Sequence, residues 1–299
     1  MLKQAPYLKE KDQVAIVATA KKISPGQLDA AVKIIQDWGL KVVLGKNIHK
    51  EFHQFAGTDK ERLKDLQTAL DNENIKAVLC VRGGYGTSRI IDQVDLKAFK
   101  KSPKWIAGFS DTTVLHCHLQ KQGFQSIHST MPLLFAKDSA SSVLSLKNTL
   151  FGEKLSYEFK GDKLNRTGTA AGILIGGNLS ILNTITSTAS DIDTKGKILF
   201  IEDIDEYLYH IDRMMVHLKR AGKLKPLAGL VVGHMTNMKD NEIPFGKNIK
   251  ELILDAVKEY KFPVCFNFPS GHEPENMALK FGAKVKLVSG KGKSTLQFI

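Results

Sequence analysis

Lys104-Trp-Ile-Ala-Gly-Phe-Ser-Asp-Thr112 is a buried apolar strand that turns sharply at Gly108-Phe109-Ser110 and enters a helix over Thr112 to Gln122, closed by Gly123. The same grammar recurs upstream. Ala77-Val-Leu-Cys-Val81 reads as a strand that breaks at once into Arg82-Gly-Gly-Tyr-Gly86, with a helix over about Thr87 to Val94. Gln13-Val-Ala-Ile-Val-Ala-Thr19 is a third apolar run, and Gln27 to Trp38 carries apolar residues at helical spacing before Gly39. Lys41 to Leu44 reads as a strand, and Thr58 or Asp59 caps a helix to about Leu70. Continuous apolar strands alternating with helices predict an α/β fold with an open parallel sheet covered on both faces. Ligands bind such sheets at the carboxyl ends of the strands, where both glycine-marked turns fall.

Beyond this region the pattern changes. Ser139 to Arg166 is rich in serine and lysine and reads as a connection. It divides the chain into an N-terminal domain over 1–140, a linker over 141–166 and a C-terminal domain over 167–299. The last part holds a strand ending at Ile175, Gly176-Gly-Asn-Leu179 opening a helix, and a strand over Lys197 to Ile201. A long helix over Tyr207 to Ala221, a strand at Leu230 to Val232, a helix near Asn248 to Glu259 and further strands toward Ile299 follow. This order predicts a mixed α/β second domain.

At 299 residues, with 42% hydrophobic and 25% charged residues, the chain has the composition of an ordinary globular protein. Its net charge of +12 comes mostly from lysines spread along the whole length, without a basic tail or a nucleic-acid motif. It reads as a solvated surface that attracts anionic substrates, not as a nucleic-acid interface. No apolar run is long enough for a membrane span, and the first ten residues lack the features of a secretory signal. Cys80, Cys117 and Cys265 are scattered in apolar surroundings, which points to reduced thiols and a cytoplasmic location. No HExxH or other clustered ligand set suggests a metal, and no cofactor is expected.

Gly108-Phe-Ser-Asp-Thr112 approaches the G-x-S-x-G nucleophile elbow, with Thr112 in place of the last glycine. Ser110 is thus a candidate nucleophile, although Ser110 or Asp111 capping the helix is an equally simple reading. Gly83 and Gly84 either form a tight turn or bring one oxyanion-hole N–H, with the N–H of Asp111 as the other. A serine nucleophile needs a base and an orienting acid. His116 and His118 lie along the helix after Ser110 and read as packing or surface residues. His272, in the polar loop Pro269-Ser-Gly-His-Glu-Pro-Glu275, is better placed as a mobile base. Glu202, at a strand's carboxyl end, can orient it; Asp203 or Asp205 could do so on charge alone.

Taken together, Arg82-Gly-Gly-Tyr-Gly86, Gly108-Phe-Ser-Asp-Thr112, Gly176-Gly-Asn-Leu179, Glu202-Asp203, Ile211-Asp-Arg213 and Gly271-His272 resemble the L,D-carboxypeptidase family of serine peptidases. That family includes murein tetrapeptide carboxypeptidases and microcin C self-immunity proteins. The resemblance implies Ser110 as nucleophile, His272 as base, Glu202 as its orienting partner, and an oxyanion hole from Asp111 and the Gly83-Gly84 pair. It implies an active site between the two domains, a homodimer, and release of terminal D-alanine from murein tetrapeptides in peptidoglycan recycling. Arg82 and Arg89, near the glycine turn, are candidates for binding the substrate's terminal carboxylate, and Tyr85 is a candidate for a further substrate contact. Thr19-Ala-Lys-Lys22 departs from the serine-proline turn of many relatives. The alternatives are a hydrolase of peptidyl or aminoacyl nucleotides using the same triad, and a non-catalytic muropeptide-binding protein.

Overall fold

The computed structural model describes residues 2–299. The first part runs β1 (Gln13–Val17), α1 (Asp29–Asp37), β2 (Lys41–Leu44), α2 (Asp59–Asp71), β3 (Ile75–Cys80), α3 (Lys97–Lys101), β4 (Trp105–Gly108), α4 (Thr113–Lys121) and β5 (Ser126–His128). The remainder runs α5 (Ala140–Phe151), β6 (Ser156–Lys160), β7 (Gly168–Asn178), α6 (Leu179–Thr184), β8 (Ile198–Ile204), α7 (Leu208–Arg220) and β9 (Gly229–Thr236). It ends with α8 (Ile249–Ala256), β10 (Val264–Cys265), β11 (Leu279–Phe281), β12 (Lys284–Ser289) and β13 (Lys293–Phe298).

The expected sheet is present, in the order β11-β5-β4-β3-β1-β2, with β1 to β5 parallel and β11 antiparallel at its edge. Alternation along β1 explains its two covered faces. Val14 and Ile16 pack with Ala31 and Ile35 of α1, whereas Ala15 and Val17 pack with Leu66 and Leu70 of α2. Thr58 starts α2 with a capping box to Glu61. The strand order reverses between β1 and β3, which puts a crevice at their carboxyl ends.

The second sheet, β10-β9-β8-β7-β12-β13-β6, is mixed, as expected. The eleven-residue β7 joins two regimes, pairing antiparallel with β12 along its first half and parallel with β8 along its second. The two sheets share a core: Val114, Leu115 and Leu119 of α4 lie in one apolar cluster with Leu179 and Leu182 of α6 and Ile201 of β8.

Three expectations need correction. Residues 141–166 are not a bare connection, because α5 and β6 lie within or across that span. The serines that disguise α5 are bonded within it: Ser139 caps it, and the Ser145 and Thr149 hydroxyls bond back to the carbonyls of Ser142 and Ser145. The helix expected over Thr87 to Val94 is two 3₁₀ turns, Thr87–Arg89 and Ile91–Gln93. Finally, the division at 140 is not clean, since β11 crosses back to pair antiparallel with β5, Leu279 opposite His128.

Candidate active site

Ser110 stands between β4 and α4 with φ of 60°, in the left-handed region that a side chain adopts at a cost of about 1–2 kcal/mol. A 3₁₀ turn over Ser110–Thr112 leads directly into α4. This is the sharp strand-to-helix turn of a nucleophile elbow, and Thr112 does not prevent it. The glycine turn approaches from the end of β3: a Cβ on Gly83 would stand 3.0 Å from Ser110 Cβ and 3.1 Å from Ser110 Oγ, and 3.5 Å from the backbone nitrogen of Asp111. Only glycine lets that backbone come so near. The Asp111 carboxylate points the other way and accepts from the Thr87 N–H at 2.9 Å, and Thr87 Oγ1 donates to Thr19 Oγ1 at 2.9 Å. Burial raises the Asp111 carboxyl above its usual range. These bonds tie the elbow, the glycine turn and the end of β1 into one unit.

For His116 the sequence predicts a packing or surface residue, and the residue is fully buried. It also braces the elbow. Its Nε2–H donates to the Gly108 carbonyl at 2.9 Å while Nδ1 accepts from the Ser126 hydroxyl at 2.9 Å. Burial holds its pKa near 4, so the ring is neutral and this tautomer is the one the bonds require. His116→Leu is expected to destabilise the protein by about 1–3 kcal/mol in urea titrations, with turnover falling further than in His116→Gln, which keeps an N–H donor. His118 is half-buried and bonds Ser190 instead.

From the second sheet comes the carboxylate. The β8–β9 ladder slips between Ile201 and Asp203, so that Gly233 and His234 of β9 stand opposite the single residue Glu202. Such a bulge re-aims side chains. It also frees the His234 N–H to bond the Ser270 carbonyl at 2.9 Å, which brings the His272 loop against β8. The imidazole then donates from Nδ1 to Glu202 Oε2 at 2.7 Å, with the glutamate fully buried. Burial alone would lower the His272 pKa. The charge and hydrogen bond of Glu202, aided by Asp203 and Asp205, outweigh it and raise the pKa above its ordinary value.

The other two acids are committed elsewhere. Asp203 accepts from Asn178 Nδ2, from the Ser180 N–H and hydroxyl, and from the Ile204 N–H; burial and the neighbouring Glu202 push it up to about 6. Asp205 pairs with Asn237 and Lys239.

The two halves meet at Phe109, whose ring lies 4.7 Å from that of His272. Ser110 follows Phe109 in the chain, so the imidazole packs beside the residue that leads into the elbow. Across the same seam the Asn178 N–H donates to Thr113 Oγ1 at 3.0 Å. The His272 loop, read from the sequence as carrying a mobile base, is tied to its neighbours by several hydrogen bonds. Asn276 Oδ1 accepts from the Gly271 N–H at 3.1 Å, and the Asn276 and Ala278 N–H groups donate to the hydroxyls of Ser142 and Ser145 on α5. The serine-rich stretch therefore seats the loop that carries His272, a role with no signal in the sequence except its unusual density of serine.

Among the tentative substrate contacts, Tyr85 is exposed beside Phe55, and Arg82 donates to the Lys22 carbonyl at 3.1 Å. Arg89 is occupied by an ion pair with Asp59 at 2.9 Å. Among the described residues no group of three or more acids, histidines or cysteines could hold a metal ion, and no helix is long and apolar enough to cross a membrane.

Models of the LD-carboxypeptidase N-terminal and C-terminal domains match residues 14–129 and 171–287. The chain belongs to the LD-carboxypeptidase family. Among its relatives is the probable murein peptide carboxypeptidase of Bacillus subtilis, 36% identical over 94% of this chain and 90% of that protein. The murein tetrapeptide carboxypeptidase of Pseudomonas aeruginosa is 28% identical over 90% of this chain and 91% of its own. The crystal structure of muramoyltetrapeptide carboxypeptidase from Oxalobacter formigenes superposes with a TM-score of 0.88 at 29% identity, covering 96% of this LD-carboxypeptidase and 98% of that chain. The family models bracket the site: one ends at Ser129, just past the elbow and β5, and the other holds both Glu202 and His272.

Proposed function

We propose that this LD-carboxypeptidase releases terminal D-alanine from murein tetrapeptides, with Ser110 as nucleophile, His272 as general base and acid, and Glu202 orienting the imidazole. The observation that carries the reading is the 2.7 Å bond from His272 Nδ1 to buried Glu202, on a loop whose imidazole packs against the residue preceding left-handed Ser110. With Nδ1–H committed to Glu202, Nε2 is the basic nitrogen. It takes the Ser110 hydroxyl proton as Oγ attacks the carbonyl carbon of the residue before D-alanine. The tetrahedral oxyanion is held by the N–H of Asp111 and one from the Gly83-Gly84 pair. The intermediate collapses as His272 returns the proton to the leaving nitrogen, D-alanine departs, and an acyl ester remains on Ser110. Water, deprotonated by the same imidazole, then releases the shortened peptide and restores the serine. Through the step, Glu202 offsets the positive charge on the imidazolium.

Two further expectations accompany the reading: a cytoplasmic role in peptidoglycan recycling, which suits three buried free thiols, and a homodimer, which light scattering would report at twice the mass of one chain. The function itself is tested by offering the purified protein a disaccharide-free murein tetrapeptide, a pentapeptide and an aminoacyl nucleotide, and following products by mass spectrometry. Loss of D-alanine from the tetrapeptide is the expected result. Hydrolysis of the nucleotide alone would move the substrate to that branch while keeping the triad.

A further inference from the structure

The crevice between β1 and β3 is bounded on one side by the glycine turn and on the other by Thr19-Ala-Lys-Lys22, the segment without the serine-proline turn. Lys21 is partly buried there. A Cβ on Gly84 would stand 2.5–2.9 Å from Cδ, Cγ and Cε of Lys21, so the lysine stem lies flat on the glycine in the space a side chain would need. The next residue back, Gly83, is the one that faces Ser110 Oγ. The stem is held in place by its backbone: the Lys22 N–H donates to the Gln54 carbonyl at 3.0 Å and the Ala56 N–H to the Ala20 carbonyl at 3.0 Å.

Three of the neighbouring cations are paired with acids, and the fourth, Arg82, is directed at a neutral backbone carbonyl. Lys22 pairs with Glu51 at 2.5 Å, Arg89 and buried Arg62 share Asp59, and Arg82 donates to the Lys22 carbonyl. No acid pairs with the Lys21 ammonium among the described residues. It is an uncompensated positive charge at the mouth of the crevice, next to the turn that faces the nucleophile.

A carboxypeptidase substrate places a carboxylate in that neighbourhood. One nitrogen and one α-carbon separate the scissile carbonyl carbon from the terminal carboxylate carbon, which keeps the two within about 4 Å. Resting on the proposed function above, we infer that Lys21 binds the terminal carboxylate of the leaving amino acid and sets this enzyme's requirement for a free carboxyl end. The flexible stem delivers a compact point charge, a role distinct from the planar fork of arginine. Partial exclusion of water strengthens the pair relative to one in bulk solvent.

The test uses two tetrapeptides, one with a free terminal carboxylate and one with a terminal carboxamide, each with the wild-type protein, Lys21→Met and Lys21→Arg. Lys21→Met keeps an apolar stem on Gly84 and removes the charge. It is expected to lower kcat/KM for the free acid about ten- to a hundredfold, chiefly through KM. The penalty should collapse to less than about threefold on the carboxamide, and Lys21→Arg should recover part of the loss. Equal losses on both substrates would make Lys21 a structural support and overturn the inference, as would no loss on either. Matching thermal melts separate misfolding from lost recognition. A wild-type protein that releases no D-alanine overturns the functional reading and this inference together, whereas release with an indifferent Lys21→Met overturns the inference alone.

Discussion

Ser110→Ala is expected to cut D-alanine release by about 10⁴- to 10⁶-fold, leaving only what binding and the oxyanion donors supply. The size of the effect follows from the arrangement: His272 and Glu202 act on the substrate only through the serine oxygen, so removing that oxygen idles all three. The same position yields a stability result of opposite sign. Ser110 holds φ of 60°, a conformation that alanine tolerates no better and glycine adopts freely. Ser110→Gly should therefore be inactive and yet more stable than Ser110→Ala by about 1 kcal/mol in urea titration. A variant pair with equal stability would mean that the elbow stores no strain.

Glu202→Gln has the second-largest expected effect, a fall of about 10⁴-fold in kcat, because the amide no longer fixes the Nδ1–H tautomer or offsets the imidazolium. Its pH profile is more diagnostic than its size. The base form of His272 is the neutral one, so kcat/KM should rise with pH through an inflection above the ordinary histidine value of about 6.5. In Glu202→Gln burial is the main influence left, and the inflection should move to lower pH. Stability follows the same linkage. A histidine whose folded pKa is raised contributes its full stabilisation below the unfolded pKa and loses it as pH climbs through the folded one. The wild type should lose that increment across and above pH 6.5, and Glu202→Gln should not. An inflection that stays in place would show that some group other than Glu202 raises the pKa.

The legible parts of the sequence were those in which one physical requirement acts locally. Buried parallel strands must be continuous apolar runs, so β1 to β4 could be read directly, and the turns after β3 and β4 announced themselves through glycine. The choice among Glu202, Asp203 and Asp205 was not legible, because it is made by the slip that sets Gly233 and His234 opposite Glu202. That is a relation between two strands, with no mark on either. The three-residue β11 and the serine-rich α5 were hidden for the same reason: their partners, β5 and the Pro274–Ala278 limb, lie far away in sequence. His116 was half legible. Its place on the helix after the elbow left packing or surface open and gave it no catalytic part, whereas its burial and its bond to the Gly108 carbonyl depend on how α4 sits against β4 and β5.

The central claim is that Ser110 is activated by His272 and Glu202, and the most direct measurement is to treat the protein with a fluorophosphonate and map the adduct by peptide mass spectrometry. A single adduct on the peptide containing Ser110, lost in His272→Ala and sharply slowed in Glu202→Gln, is the expected result. An adduct on another residue, or undiminished labelling without His272, would contradict it.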